Sequence, residues 1–244
     1  MAKILLIETA SEVCGAAIAT EGRIIALAED TDQARHAERL TLLIADCCRQ
    51  AGLKLSDLDA VAVSRGPGSY TALRVGVSTA KGICFALDKP LIAVDTLQAL
   101  AAASLLEFEE TNPVLHHPQP VLAIPMLDAR RQEVWTAVYD AQLRLVVPAQ
   151  PLILQHELFQ NFRNTIPDYR PETVCIISGN GSKKMEDAGI AENMVFSPVK
   201  NCSANYLAGL ADLFFQKNDF QNITYFEPFY MKAPNITTPN KPAF

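Results

Sequence analysis

Apolar residues recur along this chain in two rhythms, and their alternation predicts the elements. Short apolar runs at 4–7, 14–20 and 23–29, broken by the polar stretch after Glu8 and by the Glu21-Gly22 turn, read as a three-stranded antiparallel meander. A helical period follows over 34–51. There Leu40, Leu43, Ile44, Cys47, Cys48 and Ala51 share one face, Asp32 stands where a cap belongs, and Gly52 ends the run. Strand 60–63, a helix to 87, strand 91–94 and helix 96–107 come next. The polar, proline-rich stretch 109–120 interrupts this order, and then the order starts again. Strands at 121–126, 133–139 and 143–147 precede helix 156–163, strand 174–177, helix 183–188, strand 194–196 and helix 203–217.

In both rounds an acidic residue follows the first strand (Glu8, Asp128) and a glycine turn follows the fourth (66–68, 179–181). The repetition predicts a lobe over 1–110, a linker at 111–120, a second lobe over 121–217 and a tail over 218–244. Two facing βββαβαβα halves of this kind imply an α/β fold of the two-lobed, actin-like (sugar kinase and Hsp70-like) ATPase class.

The helix over 70–87 is unusual in showing two apolar faces. Tyr70, Leu73, Val77, Ala80, Cys84 and Leu87 form one stripe, and Ala72, Val75, Gly76, Thr79, Ile83 and Ala86 a second of mostly small residues. Arg74, Ser78 and Lys81 are left as a polar seam, with Ser69 or Thr71 as candidate caps. A glycine inside a helix weakens it by about 1 kcal/mol relative to alanine, so Gly76 and Gly82 imply a compensating close approach. The small face either packs on a neighbouring helix of the same chain or is offered to a partner chain.

Composition narrows the classes. Of 244 residues 49% are hydrophobic and 20% charged, a globular balance. No run reaches the ~20 apolar residues of a membrane span, and the amino end lacks a signal-peptide core. Six scattered cysteines without a Cys-x-x-Cys pair suit a reducing cytoplasm. A net charge of −6 disfavours unaided nucleic-acid binding, since Arg130-Arg131 and Lys183-Lys184 are the only adjacent basic pairs.

In an actin-like ATPase, acidic first turns serve magnesium, glycines let backbone amides reach phosphate, and a second-half glycine turn holds adenosine. Here Glu8 is followed by Thr9-Ala10-Ser11 and Asp128 by Ala129-Arg130-Arg131-Gln132, so side chains obstruct that approach. Glu8, Thr9, Asp128, Arg130, Gly179 and Asn180 therefore read as a degenerate nucleotide cleft. Gly66-Pro67-Gly68 continues to Thr71, which breaks the dinucleotide fingerprint, and Ser69 lacks a nucleophile elbow.

The run Arg65-Gly66-Pro67-Gly68-Ser69-Tyr70-Thr71 with Leu73-Arg74-Val75-Gly76 resembles the signature of the TsaB (YeaZ) family. Ile7-Glu8-Thr9-Ala10, His36-Ala37-Glu38-Arg39-Leu40, Asp128 to Trp135 and Glu227 to Lys232 fit the same family in order along the whole chain. Departures are Glu8 where Asp is common, Ala72 where Gly is common and Lys232 where Arg is common. The resemblance implies a non-catalytic partner of the TsaD catalytic subunit, working with the TsaE ATPase to place threonylcarbamoyl on adenosine 37 of tRNAs that read codons starting with A. It implies contact with tRNA only through the complex, a homodimer when the partner is absent, and no cofactor. It also implies that the first two helices form the partner surface, with His36, Arg39, Leu42, Ala72, Val75, Gly76, Thr79 and Ile83 as candidate residues. The catalytic relative's metal site needs two histidines on one helix face. Here His36 and His156 are isolated and His116-His117 are adjacent, so no metal site is expected. The alternative reading is a weak nucleotide-dependent phosphotransferase or ATPase on the same fold.

Overall fold

Strand β1 (Lys3–Glu8) is central in a five-stranded sheet, and its unbroken apolar run follows from that position. Leu5 and Ile7 enter the core on one side of the sheet, Ile4 and Leu6 the core on the other. In the computed structural model, which describes residues 1–31, 35–112, 119–190 and 194–232, β1 pairs antiparallel with β2 (Cys14–Thr20) and parallel with β4 (Ala60–Ser64). Strands β3 (Arg23–Asp30) and β5 (Leu91–Val94) take the edges, giving the order β3-β2-β1-β4-β5. The second sheet repeats this plan. β6 (Val121–Asp128) is central, with β7 (Glu133–Asp140) and β8 (Leu145–Ile153) antiparallel on one side and β9 (Val174–Ser178) and β10 (Met194–Phe196) parallel on the other. The duplication read from the sequence is present, and the fold is the two-lobed actin-like α/β architecture.

Helices α1 (His36–Ala51) and α2 (Tyr70–Leu87) cover the outer face of the first sheet, and α4 (His156–Asn164) and α5 (Ser182–Asp187) that of the second. The inner faces are covered by exchange. Helix α3 (Thr96–Thr111) belongs to the first half, yet Leu97, Leu100, Leu105 and Phe108 pack against Ala123, Leu127, Ala137 and Ile176 of the second sheet. A 3-10 turn at Ala204–Leu207 and helix α6 (Ala208–Gln216) come from the second half and pack on Ile4, Leu6, Ala17 and Ala60 of the first. Ala99 and Ala102 of α3 also touch that first-sheet cluster, so α3 is apolar on more than one side. Asp95 caps it, its Oδ1 accepting from the amides of Leu97 and Gln98.

Several boundaries differ from the sequence reading, among them the end of β6 at Asp128 rather than 126 and the start of β8 at Leu145 rather than 143. Helix α3 runs to Thr111 rather than 107. Strand β8 continues to Ile153 through Pro148 and Pro151, tolerated because β8 is an edge strand with one unpaired side. The helix expected at 203–217 is divided into the 3-10 turn and α6. Among the cap candidates, Asp32 lies outside the described residues. Ser69 is the first residue before α2, but its hydroxyl makes no capping bond.

The tail is held down as far as it is described. The Gln221 amide donates to Leu91 O at 2.8 Å, bridging the free edge of β5. Ile223 and Phe226 pack into the first-lobe core, and Lys81 Nζ donates to Phe226 O at 2.9 Å. The Phe229 amide donates to Arg65 O at 2.7 Å, and the Tyr230 ring lies 4.6 Å from that of Tyr70. Lys232 then pairs with Glu133 of the second lobe.

Candidate functional site

The first-lobe turn is built around a buried carboxyl. Glu8 sits at the end of β1, where its Oε1 accepts from the Ala10 amide at 2.6 Å and from the Ser64 hydroxyl at 2.9 Å. Burial pushes this carboxyl up from the usual 4.5 to about 7, with the charge of Glu29 adding to the rise and the two bonds opposing it. The glycine turn is drawn hard against this strand end. The Ser69 amide, the donor a phosphate would need at the start of α2, donates instead to Ala10 O at 2.8 Å. A Cβ on Gly68 would meet that same Ala10 oxygen at 2.4 Å, so the backbones of the two turns touch. Thr9 is fully buried against Gly76 of α2.

This overturns one expectation. Gly76 does not belong to a surface offered to a partner: a Cβ there would stand 2.3 Å from Thr9 Oγ1. Ala72, on the same stripe, is buried as well. The compensating close approach is thus internal, between α2 and the turn after β1.

The second-lobe turn brings Asp128, Arg130 and Asn180 together, and their polar groups are already engaged. Asp128 Oδ1 accepts from Lys184 Nζ at 2.6 Å and from the Arg130 amide at 2.5 Å, while Asn180 Oδ1 accepts from the Asp128 amide at 2.9 Å. Gly179 has φ 85° and packs on Met126 O, and the Gly181 amide donates to that oxygen at 2.9 Å. An ATP phosphate or its magnesium needs free amides and an ionised, unpaired carboxylate. The carboxyls of Glu8 and Asp128 and the amides of Ala10, Ser69, Arg130 and Gly181 are engaged from within the chain, which fits a bound nucleotide poorly.

The outer surface of the helix pair is different in kind. His36 is buried, Arg39 pairs with Asp30 at 2.6 Å, and Val75, Thr79 and Ile83 are half-buried. Leu42 of α1 is 58% exposed and Phe85 of α2 is 84% exposed. On the same two helices Thr41, Ala45, Ser78, Gly82 and Ala86 are exposed and small or medium in size, and the charged Glu38, Arg49 and Arg74 are exposed as well. No heavy atom lies within 4 Å of a Cβ built on Gly82. The sequence reading missed Phe85, which lies on neither apolar stripe; an aromatic off the stripes of a helix was the available signal. It also missed Asp95, whose Oδ2 pairs with Arg65 at 3.3 Å and whose Oδ1 accepts from Tyr139 of the second lobe at 3.4 Å. Glu133 and Asp140 pair with Lys232 and Arg144.

The remaining thiols offer no nucleophile. Cys47 donates to Ala16 O at 3.0 Å, and burial pushes its pKa up to about 12.

Residues 29–239 match the family model for TsaD, tRNA N6-adenosine threonylcarbamoyltransferase. The tRNA threonylcarbamoyladenosine biosynthesis protein TsaB of Escherichia coli K12 is 34% identical over 138 residues, covering 57% of this chain and 55% of that protein. TsaB of Bacillus subtilis 168 is 32% identical over 154 residues, 62% of each. The matched stretch thus spans between about half and three-fifths of these curated relatives. The solved structure of YeaZ from Pseudomonas aeruginosa covers 94% of this chain and 100% of its own, with a TM-score of 0.77 at 24% identity, and shares the fold.

Proposed function

Since the chain belongs to the TsaD family, and within it to the TsaB (YeaZ) group, we propose that it is the non-catalytic partner of a TsaD-like catalytic subunit. Its role is to order that subunit for forming threonylcarbamoyladenosine at position 37 of tRNAs reading codons that begin with A, in the cytoplasm. A TsaE-like ATPase completes the larger assembly, and tRNA is reached through the complex. Among the described residues no helix is long and apolar enough to cross a membrane.

The observation that carries this reading is the exposed ridge of α1 and α2. Leu42 of α1 and Phe85 of α2 are large apolar side chains left exposed on two helices that pack against each other, and the exposed Ser78, Gly82 and Ala86 leave room for another helix to approach α2. A second copy of this chain presents the same ridge, which accounts for a self-pair when the catalytic subunit is absent. The alternative, a weak phosphotransferase or ATPase, is disfavoured by turns whose amides and carboxyls are engaged internally.

The test uses Gly82 rather than Gly76, because only Gly82 opens onto empty space. Gly82→Leu is expected to melt within a few degrees of the wild type and to lose assembly with the catalytic subunit on size-exclusion chromatography. A folded Gly82→Leu chain that still co-elutes as the wild type does would place the interface elsewhere.

A further inference from the structure

The tip of the β6–β7 hairpin carries charge that no other described residue pairs with. Arg130 and Arg131 have φ 69° and 51°, the only consecutive non-glycine residues in the left-handed region among those described. Asn and Gly adopt this conformation at the least strain, whereas a long side chain is disfavoured there. The turn itself therefore gains nothing from arginine, and both side chains are exposed.

Their surroundings are already neutralised. Asp128 is matched by Lys184 at 2.6 Å, Glu133 by Lys232, and Glu186 by Lys200 at 3.1 Å. Asp187, exposed on α5, is in no ion pair among the described residues. The Lys184 ammonium also donates to Glu133 O at 3.0 Å, which ties α5, the helix that carries the exposed Lys183, to the hairpin. Among the described residues Arg130, Arg131 and Lys183 are in no ion pair, and even with the exposed Asp187 of α5 counted against them they leave a positive surplus on a chain of net charge −6.

The patch has no pocket chemistry. The amides that would converge on a lone phosphate are used internally, the Arg130 amide by Asp128 and the Gly181 amide by Met126 O. Exposed guanidinium groups spread along a hairpin and a neighbouring helix suit an extended polyanion instead, read through its charge and by the planar fork of arginine. We propose that Arg130, Arg131 and Lys183 form a contact for the phosphodiester backbone of RNA. This inference rests on the reading above, that the chain works on tRNA within a complex, and adds a direct contact to it. The overall acidity of the chain keeps that contact local and dependent on the assembled partner.

The experiment uses the full chain assembled with its catalytic subunit and an unmodified tRNA transcript. Assembly of the wild type is checked before RNA is added; its failure overturns the functional reading and this inference with it. Arg130→Asn/Arg131→Asn keeps residues that tolerate the left-handed backbone, so its melting temperature should equal or exceed the wild-type value. Lys183→Gln removes the third charge from a separate element. The complex of the double variant is expected to bind tRNA roughly tenfold more weakly at low salt. Its log–log salt dependence should flatten by about 1.4–1.8, one phosphate contact for each arginine. Lys183→Gln should flatten it by a further ~0.7–0.9. An intact variant complex with unchanged affinity and slope overturns the proposal. A folded variant that no longer joins the catalytic subunit also overturns it, since the patch would then be a protein contact.

Discussion

Gly76 of α2 and Thr9 beyond β1 stand so close that the helix has no room for a side chain: a Cβ on Gly76 would reach within 2.3 Å of the threonine hydroxyl oxygen. Thr9 cannot swing away, because it is fully buried. Gly76→Ala should therefore lower stability by about 1–2 kcal/mol, the strain of overpacking exceeding the gain in helix propensity. Adding Thr9→Ala should restore most of that loss. Gly82→Ala, on the same helix but facing open space, should instead stabilise by up to ~1 kcal/mol. Urea denaturation of the four proteins separates these outcomes, and a Gly76→Ala chain as stable as Gly82→Ala would refute the contact.

Glu8 gives stability a pH dependence of unusual sign. Its folded-state pKa, raised by burial to about 7, lies above the unfolded value near 4.5, so the unfolded chain gives up its proton first as pH rises. The destabilisation is absent below about 4.5, grows through the window up to about 7 and is complete above it, amounting to about 3 kcal/mol. Glu8→Gln should flatten this part of the profile, the Gln oxygen still accepting from Ala10 and Ser64. Unfolding free energies at several pH values between 4.5 and 8 provide the measurement. Parallel profiles for wild type and variant would count against a buried neutral carboxyl.

The tail is part of the first lobe, and its residues should differ sharply in importance. Phe226 is half-buried in the core beside α2, so Phe226→Ala should lose about 1–2 kcal/mol. Tyr225, its neighbour, is exposed, and Tyr225→Ala should stay within about 0.5 kcal/mol of the wild type. Thermal melts of the pair decide this; equal effects would mean the tail does not pack in this register.

Much of the fold was legible because it is carried by period. The unbroken apolar runs of β1 and β6, and the repeated succession of strand and helix, can be read without knowing what lies opposite each residue. The candidate surface was less legible for the same reason. Spacing by three and four put Gly76, Ala72 and Val75 on one face of α2, but only the fold reveals that Thr9 occupies part of that face. Phe85 stood off both stripes and was passed over, although it is 84% exposed. The tail from Gln221 to Lys232 has no period to read, since backbone bonds to Leu91 and Arg65 and single inserted side chains hold it.

The crossing of α3 and α6 between the halves bears on how such a molecule can have arisen. A single half would leave the inner face of its sheet bare, and its own last helix would reach out to cover another sheet rather than its own. Two identical halves satisfy each other, so the ancestral unit fits a pair of separate chains trading helices. Joining them in one chain turns that encounter into an intramolecular one, at an effective concentration on the order of millimolar for a short connection. Once joined, the copies are free to diverge, one keeping a buried carboxyl at the end of its first strand and the other a lysine-paired one.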